Sequence, residues 1–310
     1  MKPFVRRSHL LVDLLNRESV NSSWTHNADA IILAMPTGAL ERSSLRANLR
    51  QTVNSAALGG AEVFVLTNRD LAFADLGAAS GPGLKGIVYA GAESGTELER
   101  LDEWLDEFEK KSGTPENTLH IIVLLTSGAG VWNIREIVRA SDRVSSVGID
   151  ELALCKSLGI VPTTDFDPFE YAKGRVIIEA RASRVQPIGM SHPYGVLPEF
   201  GDEGEIARLA LRSKNLGFAG AICPDPSWVD HCNRAFAPPE DRLEFYRETR
   251  RLFAEGVARG TAAIPYPGTT MMIDVPVDEN ARVNLELWER CAAREAEKAT
   301  AVAESLARLA

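Results

Sequence analysis

Residues 119–160, LHIIVLLTSGAGVWNIREIVRASDRVSSVGIDELALCKSLGI, read in order as strand, small-residue turn, helix, strand and acidic turn. Residues 120–125 are a short apolar run without alternation, the pattern of a strand buried on both faces of a parallel sheet. Thr126-Ser127-Gly128-Ala129-Gly130 breaks the run, because small residues let the backbone turn sharply. From Val131 the apolar spacing becomes helical, through Ile134, Ile137 and Val138. Residues 143–148 return as a strand, and Asp150 and Glu151 follow at once. Two carboxylates thus stand where a parallel strand delivers its C-terminal end, the end at which barrels and open parallel sheets bind ligands.

The same unit recurs outward in both directions. Further apolar runs at residues 7–13, 29–34, 61–66, 85–90, 186–191 and 218–223 bring the strands to eight. Amphipathic stretches at residues 40–57, 97–111, 169–184 and 201–216 predict connecting helices. Eightfold βα alternation over this length predicts an α/β fold, a closed (β/α)8 TIM barrel. The expected division is a barrel over residues 1–235 and a C-terminal helical extension over 236–310, with helices at 242–259 and 278–309. A helix added after a closed barrel has no internal partner that the fold requires, so the extension is expected to pack on a neighbouring subunit of a homo-oligomer.

A net charge of −9, with no basic cluster interleaved with aromatics, opposes nucleic-acid binding. No apolar run approaches the roughly 18 residues of a membrane span. The basic start of the chain leads into too short an apolar run for a secretory signal, so the expected compartment is the cytoplasm. Cys155, Cys223, Cys232 and Cys291 are too scattered for a zinc pattern and read as free thiols.

In a barrel the site is the ring just after the strands. Here that ring contains Asp13, Thr37, Asn68, Arg69, Asp70, Glu93, Thr126, Ser127, Asp150, Glu151, His192 and Asp225. A Schiff-base mechanism needs a lysine within a strand, and Lys85, Lys156 and Lys173 do not fit. Asp150 and Glu151 offer carboxylates to a hard cation such as Mg²⁺, or else Asp150 caps the helix that follows. His192 is a candidate acid–base group, whereas His120 opens a strand at the wrong end and reads as structural. Arg69 is suited to a substrate carboxylate or a developing enolate oxygen, or else to a surface salt bridge. Asn68, Thr126 and Ser127 are the candidate substrate contacts.

The chain resembles the citrate lyase beta subunit family and the wider HpcH/HpaI-type aldolases. The resemblance rests on Arg7-Ser8-His9-Leu10-Leu11-Val12, Ala28-Asp29-Ala30-Ile31-Ile32-Leu33, Gly86-Ile87-Val88 with Glu93-Ser94, and Ala129-Gly130-Val131 with Asn133. Gly148 with Leu158-Gly159, Tyr171-Ala172, Leu216-Gly217-Phe218, Asn233-Arg234-Ala235-Phe236 and Met272-Ile273-Asp274 complete it in family order. It implies a (β/α)8 barrel, an oligomer whose C-terminal segment reaches a neighbour, and Mg²⁺-dependent aldol chemistry on hydroxy acids or hydroxyacyl-coenzyme A thioesters. It also implies that Asp274 is an acid–base group presented to a neighbouring site, and that Glu151 with Asp150 stands at the second metal position. The chain departs from the pattern elsewhere: Ala34, Pro36 and Thr37 replace the acidic cluster after the second strand, Leu66 an arginine, Gly91 a lysine and Thr126 the metal-binding glutamate. Three functions follow as expectations: a carbon–carbon lyase, a metal-independent enzyme on the same scaffold, and a noncatalytic binding or regulatory subunit.

Overall fold

The computed structural model describes residues 5–36, 38–68, 72–161, 163, 166–190 and 202–309. Eight parallel strands follow one another around a curled sheet: β1 (Ser8–Asp13), β2 (Ala30–Ala34), β3 (Glu62–Asn68), β4 (Leu84–Ala90), β5 (His120–Leu125), β6 (Val144–Ile149), β7 (Gln186–Pro187) and β8 (Ala221–Cys223). β1 pairs with both β2 and β8, so the sheet curls back towards its own far edge. That edge is stitched by Ala219 N–H to the Pro187 carbonyl at 2.9 Å and Gly189 N–H to the Gly220 carbonyl at 3.0 Å. The fold is the α/β barrel that the strand runs predict.

Strand residues alternate between two apolar cores, as a period of two requires. Ile32, Phe64, Val88, Ile122, Leu124 and Ile188 fill the barrel interior. Ile31, Leu33, Val63, Val65, Ile87 and Ile121 face outward onto the helical layer. Gly86 is needed where β4 meets β5, because a Cβ there would lie 2.0 Å from the His120 carbonyl oxygen.

The amino-terminal floor of the barrel is polar and closed. Arg6 is fully buried, ion-paired to Glu62, donating to Ser145 Oγ at 2.8 Å and lying over the Phe64 ring. His9 is fully buried beside the Ala221 carbonyl, and burial, reinforced by the Arg6 charge, pushes its imidazole down to about 4. His120 opens β5 at this end, where burial holds its imidazole down at about 4 as well.

Two sequence expectations differ from the structure in detail. Residues 40–57 form two helices, Ala39–Arg46 and Leu49–Ala56, hinged at Asn48. The stretch after β5 forms two short helices, Gly128–Trp132 and Ile134–Ile137, joined at Asn133. Neither break carries a Gly or Pro, so apolar spacing runs across both unmarked.

The extension is a helical hairpin. Helix Leu243–Ala258 and helix Val275–Leu309 are joined through a two-stranded antiparallel turn, β9 (Ile264–Pro265) and β10 (Met272–Ile273). Their shared core includes Leu243, Tyr246 and Ala281. The later part of the long helix docks on the chain's own barrel floor. Lys298 Nζ donates to Asp29 Oδ1 and to the Asn27 carbonyl, both at 2.8 Å, while Arg7 bridges Asp29 and Glu295. Arg294 donates to the carbonyls of Asp29 and Gly60, and Ser305 to that of Leu58. The Arg7 and Lys298 cations hold the buried Asp29 carboxyl down at about 2 against the opposing effect of burial, the largest of the influences on it. No helix among the described residues is long and apolar enough to cross a membrane.

Candidate active site

The strand ends at β4, β5 and β6 are organised by backbone-to-side-chain bonds. Ser127 caps helix Gly128–Trp132, accepting from Gly130 N–H at 3.2 Å and donating to Glu93 Oε1 at 2.7 Å. Asn133 donates to the Glu93 carbonyl at 2.8 Å, which ties the turn after β4 to the turn after β5. The fit is close: a Cβ on Gly130 would lie 2.6 Å from the Ala92 carbonyl oxygen. Thr126, the neighbouring residue, is half-buried at the end of β5.

After β6, Asp150 accepts from Ala153 N–H at 3.0 Å and caps helix Glu151–Leu158, so it does the capping work that its position allows. Glu151 is buried, and its Oε1 takes a hydrogen-bonded ion pair from Lys173 Nζ at 2.9 Å. Lys173 also donates to Asp167 Oδ2 at 2.6 Å, so one buried ammonium serves two carboxylates. Desolvation raises the Glu151 carboxyl to about 7, against the pull of the Lys173 charge, and the nearby Asp167 and Asp150 charges add to the rise. Glu151 Oε2 is buried without a hydrogen-bond partner among the described residues.

Spacing alone did not reveal two groups. Lys173 falls outside every strand and 22 residues after Glu151, so no local pattern links them. Arg42 is buried behind the turns after β2 and β3, donating to Thr67 Oγ1 at 3.0 Å, to the Pro36 carbonyl and to Asp75. It braces two strand ends at once. At the seam of β1 and β8 a cleft of about 330 Å³ is lined by Asp13, Ala34, His26 and Asp225.

Arg69 and His192 lie outside the described residues, as does the Asn68 side chain. Asp274 caps helix Val275–Leu309, accepting from Val277 N–H at 3.1 Å. It stands about 30 Å along that helix from Glu295, taking about 1.5 Å per residue. Glu295 bonds to the barrel floor, and Asn280, Leu287 and Arg290 of the same helix line the cavity beneath it.

Mg²⁺ takes carboxylates and water in near-octahedral order. Here Thr126 offers a hydroxyl, Asp150 spends Oδ1 on a helix cap, and Glu151 is ion-paired to Lys173. Among the described residues no group of three His, Cys, Asp or Glu side chains is placed to hold a metal ion. This donor set does not fit a carboxylate-held Mg²⁺.

Comparison with known proteins gives a consistent picture. The family model described as HpcH/HpaI aldolase/citrate lyase matches residues 7–226. A citrate lyase subunit beta from Leuconostoc mesenteroides subsp. cremoris is 24% identical over 278 residues, covering 88% of this chain and 90% of that protein. An L-malyl-CoA/beta-methylmalyl-CoA lyase from Cereibacter sphaeroides is 23% identical over 269 residues, covering 78% of this chain and 81% of that protein. The solved structure of CitE from Mycobacterium tuberculosis in complex with magnesium, acetoacetate and coenzyme A superposes with a TM-score of 0.64 at 18% identity, covering 91% of this chain and 97% of that one.

Proposed function

The chain belongs to the HpcH/HpaI aldolase/citrate lyase family, and we propose that it is an aldolase-type carbon–carbon lyase acting on a hydroxy acid or hydroxyacyl thioester. The observation that carries this reading is the extent of the family match: residues 7–226 include every barrel strand and every strand end. In retro-aldol cleavage a base takes the proton of the substrate hydroxyl. The carbon–carbon bond then breaks, a carbonyl product leaves, and the electron pair passes to an enolate oxygen that needs positive charge or hydrogen bonds. In this reading Arg69 supplies that charge, Asn68, Thr126 and Ser127 contact the substrate, and His192 and an Asp274 supplied by a second copy of the chain exchange protons. Asp274 opens the helix whose residues Asn280, Leu287 and Arg290 line the floor cavity, which supports its delivery to a second copy rather than to its own barrel mouth.

The Glu151 carboxyl, bonded to Lys173 and raised to about 7 by burial, and the hydroxyl of Thr126 favour a second reading, metal-independent chemistry or a binding role on the same scaffold. The experiment incubates the purified protein with L-malyl-coenzyme A and citramalyl-coenzyme A and follows the released 2-oxo acid. Release above the uncatalysed rate, abolished by Asp274→Asn, supports the lyase. No release from either thioester, or from the free hydroxy acids, leaves the second reading.

A further inference from the structure

Beneath the barrel, on the face opposite the strand ends, lies a cavity of about 810 Å³ between the floor and the long C-terminal helix. Six cations line it: Arg6, Arg7, Arg181, Arg184, Lys214 and Arg290. No Asp or Glu is among its described lining residues, although the chain as a whole carries a net charge of −9. Arg6 and Arg7 have counter-ions of their own in Glu62, Asp29 and Glu295. Among the described residues, three of the others do not. Arg181 donates to the Gly217 carbonyl at 2.8 Å and Lys214 to the Ala237 carbonyl, neither of them to a carboxylate. Arg184 makes no ion pair with any described residue, and it is held at the end of its helix with a left-handed φ of 59°.

Helix dipoles account for part of this only. Arg181 and Lys214 sit in the last turns of helices Glu170–Ala182 and Glu203–Leu216, where a cation is favoured, but a partial charge of about half a unit leaves most of each full charge unbalanced. Burial lowers the basicity of both side chains, the direction expected for cations that lack a counter-ion in place. The remaining wall mixes apolar side chains, Phe218, Phe236 and Leu287 among them, with the polar Ser145, Gln186, Asn280 and Asn284. The volume falls in the usual range for small-molecule sites, roughly 300–1,000 Å³.

We propose that this floor cavity binds a small organic polyanion, one that presents at least two phosphate or carboxylate groups to Arg181, Arg184 and Lys214 and lays an apolar part against Phe218 and Leu287. The long helix forms one wall of the cavity and also docks Asp29 through Lys298. Occupancy therefore ties the extension to the barrel, and the site is a second one, remote from the strand-end ring.

Calorimetric titration of the full-length protein with ATP, pyrophosphate and citrate tests this, using wild type, Arg184→Glu and Lys214→Gln, with the oligomer mass of each measured by sedimentation. Saturable binding of at least one anion, one per chain, weakened roughly tenfold or more in Arg184→Glu and by added salt, is the expected result. Preference for ATP and pyrophosphate over citrate identifies phosphate as the recognised group, and the reverse identifies carboxylate. Lack of saturable binding to all three at millimolar concentration overturns the proposal, and so does binding that both substitutions leave unchanged. A change of oligomer mass in Arg184→Glu, with no anion binding by wild type, overturns it in favour of a subunit contact.

Discussion

Glu151→Gln is expected to make the protein more stable above neutral pH, although it removes one member of a buried ion pair. The Glu151 carboxyl stands at about 7 against an ordinary 4.5, chiefly because burial opposes its charge. A folded-state value above the unfolded one means the folded protein holds that proton more tightly. The resulting stabilisation is full below pH 4.5 and is lost as pH rises through about 7. At about 1.4 kcal/mol per tenfold, the loss comes to about 3 kcal/mol by pH 8. A glutamine side chain matches the protonated carboxyl in shape, and its amide oxygen still accepts from Lys173, which keeps Asp167 as a charged partner. The difference in stability between the Glu151→Gln protein and wild type therefore grows by at least about 2 kcal/mol in the variant's favour from pH 5 to pH 8. Urea titrations of both proteins at the two pH values read it directly. A difference that stays flat with pH, or a variant that falls further behind at pH 8, would refute the reasoning and show that the Lys173 ammonium fully offsets the burial of the Glu151 charge.

His9 works in the opposite direction: its imidazole is held near 4 against an ordinary 6.5, so its contribution is complete above pH 6.5 and is lost as pH falls through about 4. Thermal melts of His9→Gln are expected to show a shallower acid limb than wild type, by about 3 kcal/mol across that window. Lys298→Met leaves Asp29 with Arg7 alone and unpins the long helix from the floor; a loss on the order of 3 kcal/mol and faster proteolysis within residues 275–309 are expected. Gly130→Ala places a methyl 2.6 Å from the Ala92 carbonyl oxygen, and a denaturant titration is expected to show a loss of about 1–3 kcal/mol as helix Gly128–Trp132 shifts.

The barrel was legible because strands buried on both faces must be short and apolar, and each of the eight runs corresponds to an observed strand. β7 is the least regular, two residues at Gln186–Pro187, since Pro187 has no N–H and the seam with β8 is made by separate bonds at Gly189 and Ala219. The position of Asp150 and Glu151 was legible too, and capping, one of the two roles open to Asp150, is the bond observed. The cation that governs Glu151 was not, because Lys173 approaches it from a later helix and such pairing leaves no periodic trace. The basic floor was hidden for a similar reason: Arg6, Arg184, Lys214 and Arg290 are spread along the chain, and an overall charge of −9 masks them.

We propose that the family's barrel is kept while the carboxylate-held metal position implied by the resemblance is rewritten around Thr126 and the Lys173–Glu151 pair. Calorimetric titration of metal-free protein with Mg²⁺, alone and with pyruvate or acetyl-coenzyme A, tests that most directly. The prediction is no saturable Mg²⁺ binding in any mixture. Saturable binding that vanishes in Glu151→Gln would contradict it, and would return Glu151 to the role of a metal ligand.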